Sequence, residues 1–99
     1  MVKEIIWTPI AIETFDNILK YLVENFGEKS AKLFVQRVEA KLKLIESRPR
    51  MFRRSTHRSN TYITVIKPRT TLTYRYEKPE NKIELIVFWG MQNPKSKPK

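Results

Sequence analysis

Between Arg48 and Tyr76 the chain carries Arg48, Arg50, Arg53, Arg54, Arg58, Lys67, Arg69 and Arg75 and not one acidic residue. Cations at this density have two chemical uses. They hold phosphate or carboxylate oxygens through charge-assisted hydrogen bonds, and they stabilise charge on phosphorus during phosphodiester cleavage. Metal-free cleavage by a ribose 2′-hydroxyl also needs a base for the hydroxyl proton and an acid for the leaving oxygen. Arginine stays protonated and is a poor base. Those roles would fall to His57, Tyr62, Lys67, Tyr74 or Tyr76. The catalytic assignment stays open, with His57, Tyr62 and Arg75 as candidates. Each has a plainer reading: a lone histidine among loop arginines is an ordinary surface residue, and Tyr74 and Tyr76 alternate onto a core-facing side. For the arginines the choice lies between partner contact and inert surface.

Charge distribution narrows the field. Residues 1–47 hold seven basic groups (Lys3, Lys20, Lys29, Lys32, Arg37, Lys41, Lys43) and seven acidic ones (Glu4, Glu13, Asp16, Glu24, Glu28, Glu39, Glu46). The whole net charge of +10 therefore lies after Ser47. A field of one sign concentrates anionic partners, whether nucleic acid or an acidic protein. With no cysteine and one histidine, disulfides, thiolate sites and a His-rich zinc centre are excluded, and no metal or cofactor is expected. No apolar run approaches the roughly 18 residues of a membrane span, and the N-terminus lacks a signal-peptide pattern. A cytoplasmic protein is expected.

The elements that must position these cations follow from periodicity. "KEIIW" at 3–7 reads as a short strand. Thr8-Pro9 marks a helix start, with a capping hydroxyl followed by a residue that forfeits no hydrogen bond there. Ala11, Phe15, Ile18, Leu19, Leu22 and Phe26 form one apolar stripe, and Gly27 ends the helix. A second helix over 28–47 carries Ala31, Phe34, Val35, Val38, Leu42 and Ile45 and is stopped by Pro49. "RPRMFRRSTHRSN" then reads as an exposed loop. Three strands follow, at 61–67, 70–77 and 83–89, joined by turns at Lys67-Pro68-Arg69 and "KPENK". Alternation places Leu72, Tyr74 and Tyr76 on one face of the middle strand, and Thr71, Thr73, Arg75 and Glu77 on the other. In the last strand it places Ile83, Leu85, Val87 and Trp89 on one face and Glu84, Ile86 and Phe88 on the other. The order β-α-α-β-β-β predicts an α+β fold with a helical hairpin packed on a small, mainly antiparallel sheet. Residues 1–92 form one domain; 93–99 are a basic tail, expected to be flexible unless a partner holds it.

This order, with "IIWTPIAIETFDNILKYL", "FGEKSAKLFVQRVEAKLKLIESRPRMF" and "FWGMQNP", resembles the RelE/ParE superfamily of bacterial type II toxins over most of the chain. The P-x-x-F after the second helix and the x-Q-N-P near the end are similar to the ParE-like branch. The resemblance implies a growth-inhibiting toxin neutralised by a cognate acidic antitoxin, in a toxin–antitoxin hetero-oligomer. ParE-like members inhibit DNA gyrase without being enzymes; RelE-like members cut mRNA on the ribosome. A non-toxic basic binding module, or a degenerate toxin, is the third reading. Target- or antitoxin-binding residues are expected at Arg50, Arg53, Arg54, Arg58, Arg75, Trp89 and Met91. Where the family commonly carries an arginine, and its nucleases add a histidine or tyrosine, this chain has Gly90-Met91. Methionine supplies neither charge nor a transferable proton, which counts against ribonuclease chemistry and against a fully family-like active surface of either kind; it can pack against an apolar partner.

Overall fold

A computed structural model describes residues 3–67 and 69–90. The elements are β1 (Glu4–Trp7), α1 (Pro9–Phe26), α2 (Glu28–Ser47), β2 (Arg53–Arg54), β3 (Thr61–Lys67), β4 (Thr70–Glu77) and β5 (Lys82–Trp89). They form one five-stranded sheet in the order β1-β5-β4-β3-β2, antiparallel except where β1 runs parallel to β5. The two helices cover one face, α1 against β5 and α2 against β3. The α+β architecture expected from the sequence is the one found. Residues 91–99, including Met91 and the basic tail, lie outside the described residues.

Local chemistry accounts for the boundaries. The Thr8 hydroxyl accepts from the Ala11 N–H (3.2 Å) and donates to the Leu85 carbonyl (2.6 Å), so one side chain caps α1 and ties it to β5. Gly27 alone separates the helices, at φ 92° and ψ 169°, a conformation essentially confined to glycine. A Cβ there would meet nothing within 4 Å, so the constraint is backbone torsion and not space. Beyond α2, Met51 N–H donates to the Arg48 carbonyl (3.1 Å), turning the chain around buried Pro49. In the β4–β5 hairpin Asn81 N–H donates to the Lys78 carbonyl (3.0 Å), with Pro79 at the turn position its fixed φ suits.

The core is an aromatic cluster at one end and a tyrosine pair at the other. Phe88 lies 5.5 Å from Trp7 and 5.3 Å from Phe15 between ring centroids, and Phe15 lies 5.7 Å from Phe34. Tyr62 and Tyr74 stack at 5.5 Å, and the Tyr74 hydroxyl donates to the Pro49 carbonyl at 2.6 Å.

Three expectations need correction. The segment after α2 is not wholly a loop, because Arg53 and Arg54 pair with Ile63 and Tyr62 as an edge strand. Phe26 closes the apolar stripe of α1 in sequence but is exposed, since the last turn of the helix overhangs the core. The largest difference is in β5. Thr73 pairs with Val87 but Tyr74 pairs with Leu85, so Ile86 bulges out of the ladder. One extra residue reverses the alternation beyond it. Ile83, Leu85 and Phe88 are therefore buried on the helix side, whereas Val87 and Trp89 share the face of Thr73 and Thr71. The bulge falls where β1 has ended. There the Thr8 N–H donates to the Leu85 carbonyl (3.3 Å), the Thr8 hydroxyl bonds the Leu85 and Ile86 carbonyls, and Phe88 N–H donates to the Thr14 hydroxyl (2.9 Å).

Candidate functional site

The sheet face away from the helices is built by alternation. It presents Thr61, Ile63 and Val65 from β3, Thr71, Thr73, Arg75 and Glu77 from β4, and Glu84, Val87 and Trp89 from β5. Arg53 joins them opposite Ile63. Its centre is well shielded, with Ile63 8% and Thr73 6% exposed, while Arg75 and Arg53 are exposed at the end nearest the 55–60 loop.

That loop is held at its base. Ser55 N–H donates to the Thr61 carbonyl (2.7 Å), and Tyr76 N–H donates to the Asn60 carbonyl (2.9 Å). Asn60, at φ 57°, takes the left-handed turn that asparagine tolerates. Within the loop the His57 N–H donates to the Ser55 hydroxyl (3.1 Å), and His57 and Arg58 are both exposed. Arg53, Arg54, Arg58 and Arg75 thus lie around one end of the sheet. Arg50 is elsewhere, over the Tyr76 ring on the helix side, with 5.5 Å from guanidinium carbon to ring centroid.

Arg75 is less free than a list of cations suggests. Its Nε lies 3.0 Å from Glu77 Oε1, and Glu84 faces it across the ladder. Both acids were readable from strand alternation. The tyrosines are withdrawn from this surface. Tyr62 is 4% exposed and faces the helices; Tyr74 is fully buried beside it. Burial, and after it the neighbouring Tyr62 hydroxyl, push the Tyr74 phenol well above the usual tyrosine range. Its proton is committed to Pro49. Of the proton-exchanging candidates only His57 is exposed beside the arginines. Among the described residues no group of His, Cys, Asp and Glu side chains could hold a metal ion.

Trp89 is half-buried on the open face, opposite Thr71. The Trp89 Nε1 and Thr71 Oγ1 atoms are both shielded from solvent and find no hydrogen-bond partner among the described residues. The site therefore has two parts: a cationic end around the 55–60 loop, and an apolar and threonine-lined end at Trp89. It can bind an anionic or mixed surface. Among the described residues, Tyr62 and Tyr74 lie on the other side of the sheet from these cations.

Comparison with known proteins bears on this geometry. Residues 5–90 match the family model for the ParE toxin of the type II toxin-antitoxin system, parDE. A structure of the chromosomal ParDE toxin-antitoxin system from P. aeruginosa superposes with a TM-score of 0.73 at 16% identity, covering 89% of this chain and 95% of that one. The isolated E. coli RelE toxin gives 0.64 at 11% identity, with 89% and 83% covered. The YoeB dimer from Staphylococcus aureus gives 0.62 at 19% identity, with 88% and 94% covered. At these identities the likeness is one of fold. No curated protein matches the sequence.

Proposed function

The chain belongs to the ParE toxin family of type II toxin-antitoxin systems, and from that premise we propose that it inhibits bacterial growth by binding a large target such as DNA gyrase, without catalysis. An acidic antitoxin would neutralise it in a cytoplasmic hetero-oligomer. One observation supports the non-enzymatic reading: among the described residues the open face offers cations but no assembled proton-transfer pair. Tyr62 and Tyr74 are buried on the opposite side, and Arg75 is engaged by Glu77. The excess of ten positive charges supports an acidic partner that becomes ordered on binding.

A RelE-like endoribonuclease is the second reading, favoured by the superposition on RelE and by exposed His57 beside Arg58. Pulse labelling after induced expression, in a bacterial host lacking the antitoxin, separates the two. DNA synthesis falling before protein synthesis is expected. Protein synthesis stopping first would transfer the assignment to the ribosome, with His57 as the first residue to replace. Undisturbed growth would leave a basic binding module.

A further inference from the structure

On the helix side of the sheet, away from the face described above, an open cleft of about 470 Å³ is lined by Lys3, Arg48, Pro49, Arg50, Met51 and Tyr76. Three cations line it and no acid does. Among the described residues Lys3, Arg48 and Arg50 form no ion pair with an acid, in contrast to Arg75 with Glu77 and Lys82 with Glu80.

The cleft is braced by its own backbone. Arg48 N–H donates to the Leu44 carbonyl (2.8 Å) and Met51 N–H to the Arg48 carbonyl (3.1 Å). The Pro49 carbonyl between them is anchored by the Tyr74 hydroxyl at 2.6 Å. The Tyr76 ring then supports Arg50 from one side. Arg48 at the end of α2 also answers the helix dipole, but that explains neither Lys3, Arg50 nor the concave shape. A rigid turn that holds cations unpaired with acids lowers the ordering cost of taking an anion.

The chemistry of the walls separates the possible anions. Single-stranded nucleic acid is held by stacking bases on open aromatic faces. Here Tyr76 is 9% exposed and covered by Arg50, so no ring face is offered. The exposed apolar group is Met51, 47% accessible at the rim, a side chain that adapts to aliphatic partners. We propose that this cleft binds a short acidic peptide segment, with carboxylates on Lys3, Arg48 and Arg50 and an aliphatic side chain against Met51. As the seat of part of an antitoxin, the cleft rests on the reading given above; as a peptide site it stands without any toxic activity.

The test is an amide chemical-shift titration of the purified full chain with the peptide acetyl-Glu-Glu-Leu-Glu-Glu-amide. Its Gln-Gln-Leu-Gln-Gln analogue and a thymidine hexanucleotide serve as competing probes. Shifts centred on Arg48, Arg50, Met51 and Tyr76 are expected, with the Gln analogue silent. Arg48→Glu with Arg50→Glu should weaken the acidic peptide at least about tenfold, as loss of paired charges does. Lys29→Glu with Lys32→Glu makes the same charge change about 24 Å or more along α2 and should cost less than about threefold. Met51→Ala should weaken the leucine peptide and leave an alanine version unchanged, a readout that survives if the charge reversals disturb folding. Three results overturn the proposal: equal loss in both double variants, tighter binding of the hexanucleotide at the same amides, or no peptide shifts in the cleft. Undisturbed growth on expression combined with specific peptide binding would remove the toxin reading and leave the cleft in place.

Discussion

Strand β4 has two faces with different tasks. Leu72, Tyr74 and Tyr76 point at the helices, buried among Phe34, Val38 and Ile45, and the one polar atom placed deepest there is spent on Pro49. Thr71, Thr73, Arg75 and Glu77 point away, where only Arg75 and Glu77 make an ion pair and that pair is open to solvent. The same eight residues therefore carry much of the fold on one side and a binding surface on the other. Substitutions on the helix side should act through stability, and those on the open side through partner affinity.

The largest effect is expected at Phe88, which the bulge at Ile86 delivers to the helix side. It is fully buried between Trp7 and Phe15. Phe88→Ala should lower the unfolding free energy by about 3–5 kcal/mol in urea denaturation, a large share of what a domain of this size possesses. Val87→Ala, one residue away on the open face, should cost much less. Comparable losses would mean that the alternation runs on unbroken and that the bulge is not where the pairing puts it.

Tyr74 comes next. Tyr74→Phe leaves the buried Pro49 carbonyl without its donor and should cost about 1–3 kcal/mol. It should also change the pH profile. Burial raises the folded-state pKa of Tyr74 above the unfolded value near 10. Above about pH 10 the unfolded chain therefore binds fewer protons than the native one. The stabilisation is present in full below that pH, and falls above it by at most about 1.4 kcal/mol per pH unit. The Phe variant should lose this alkaline slope. A slope unchanged by the substitution would trace it to another group.

At Thr8 the two halves of the molecule meet. The side chain caps α1 and bonds the β5 carbonyls at Leu85 and Ile86. Thr8→Ala should cost about 1–2 kcal/mol, whereas Thr8→Ser keeps the hydroxyl and should recover most of it. Failure of serine to recover stability would assign the effect to the methyl group and its packing.

These residues also show what the sequence discloses. Thr8-Pro9, Gly27 and Pro49 are chemical punctuation whose effect is local, so both helices are readable to the residue. The turn at Lys78–Asn81 is readable for the same reason. The bulge at Ile86 is not. No glycine or proline marks it, and it depends on β1 ending at Trp7, leaving Thr8 and Thr14 to take over the bonding of β5. That is a tertiary condition, and it moves Trp89 off the face of Leu85, where unbroken alternation places it, onto the open face beside Thr71. The two-residue strand β2 is hidden likewise, because Arg53-Arg54 carries no strand pattern and forms by pairing with β3. Of the site, the cations were visible as a charge run, and Arg75 was placed correctly by alternation. Its partner Glu77 lies one residue beyond the end of the acid-free stretch. Tyr62 was undecidable from the chain alone, since its facing depends on the register with Tyr74.

Arg75 is where the separation of faces is sharpest, and the smallest stability change is expected there. Its ion pair with Glu77 is solvent-exposed, at 46% for the arginine side chain and 23% for the acid. Screening limits such a pair to a few tenths of a kcal/mol, so Arg75→Ala should shift the unfolding free energy by no more than about 0.5 kcal/mol. If Arg75 contacts the target, the same variant should weaken growth inhibition about tenfold, the usual worth of one charged hydrogen bond. Glu77→Gln then decides how the arginine is used. Releasing the guanidinium should strengthen inhibition about twofold if Arg75 meets its target as a free cation, because one exposed ion pair no longer competes for it. Weaker inhibition would mean that Glu77 fixes the guanidinium in its working orientation. The pair, and not the lone cation, would then be the recognised feature of the open face.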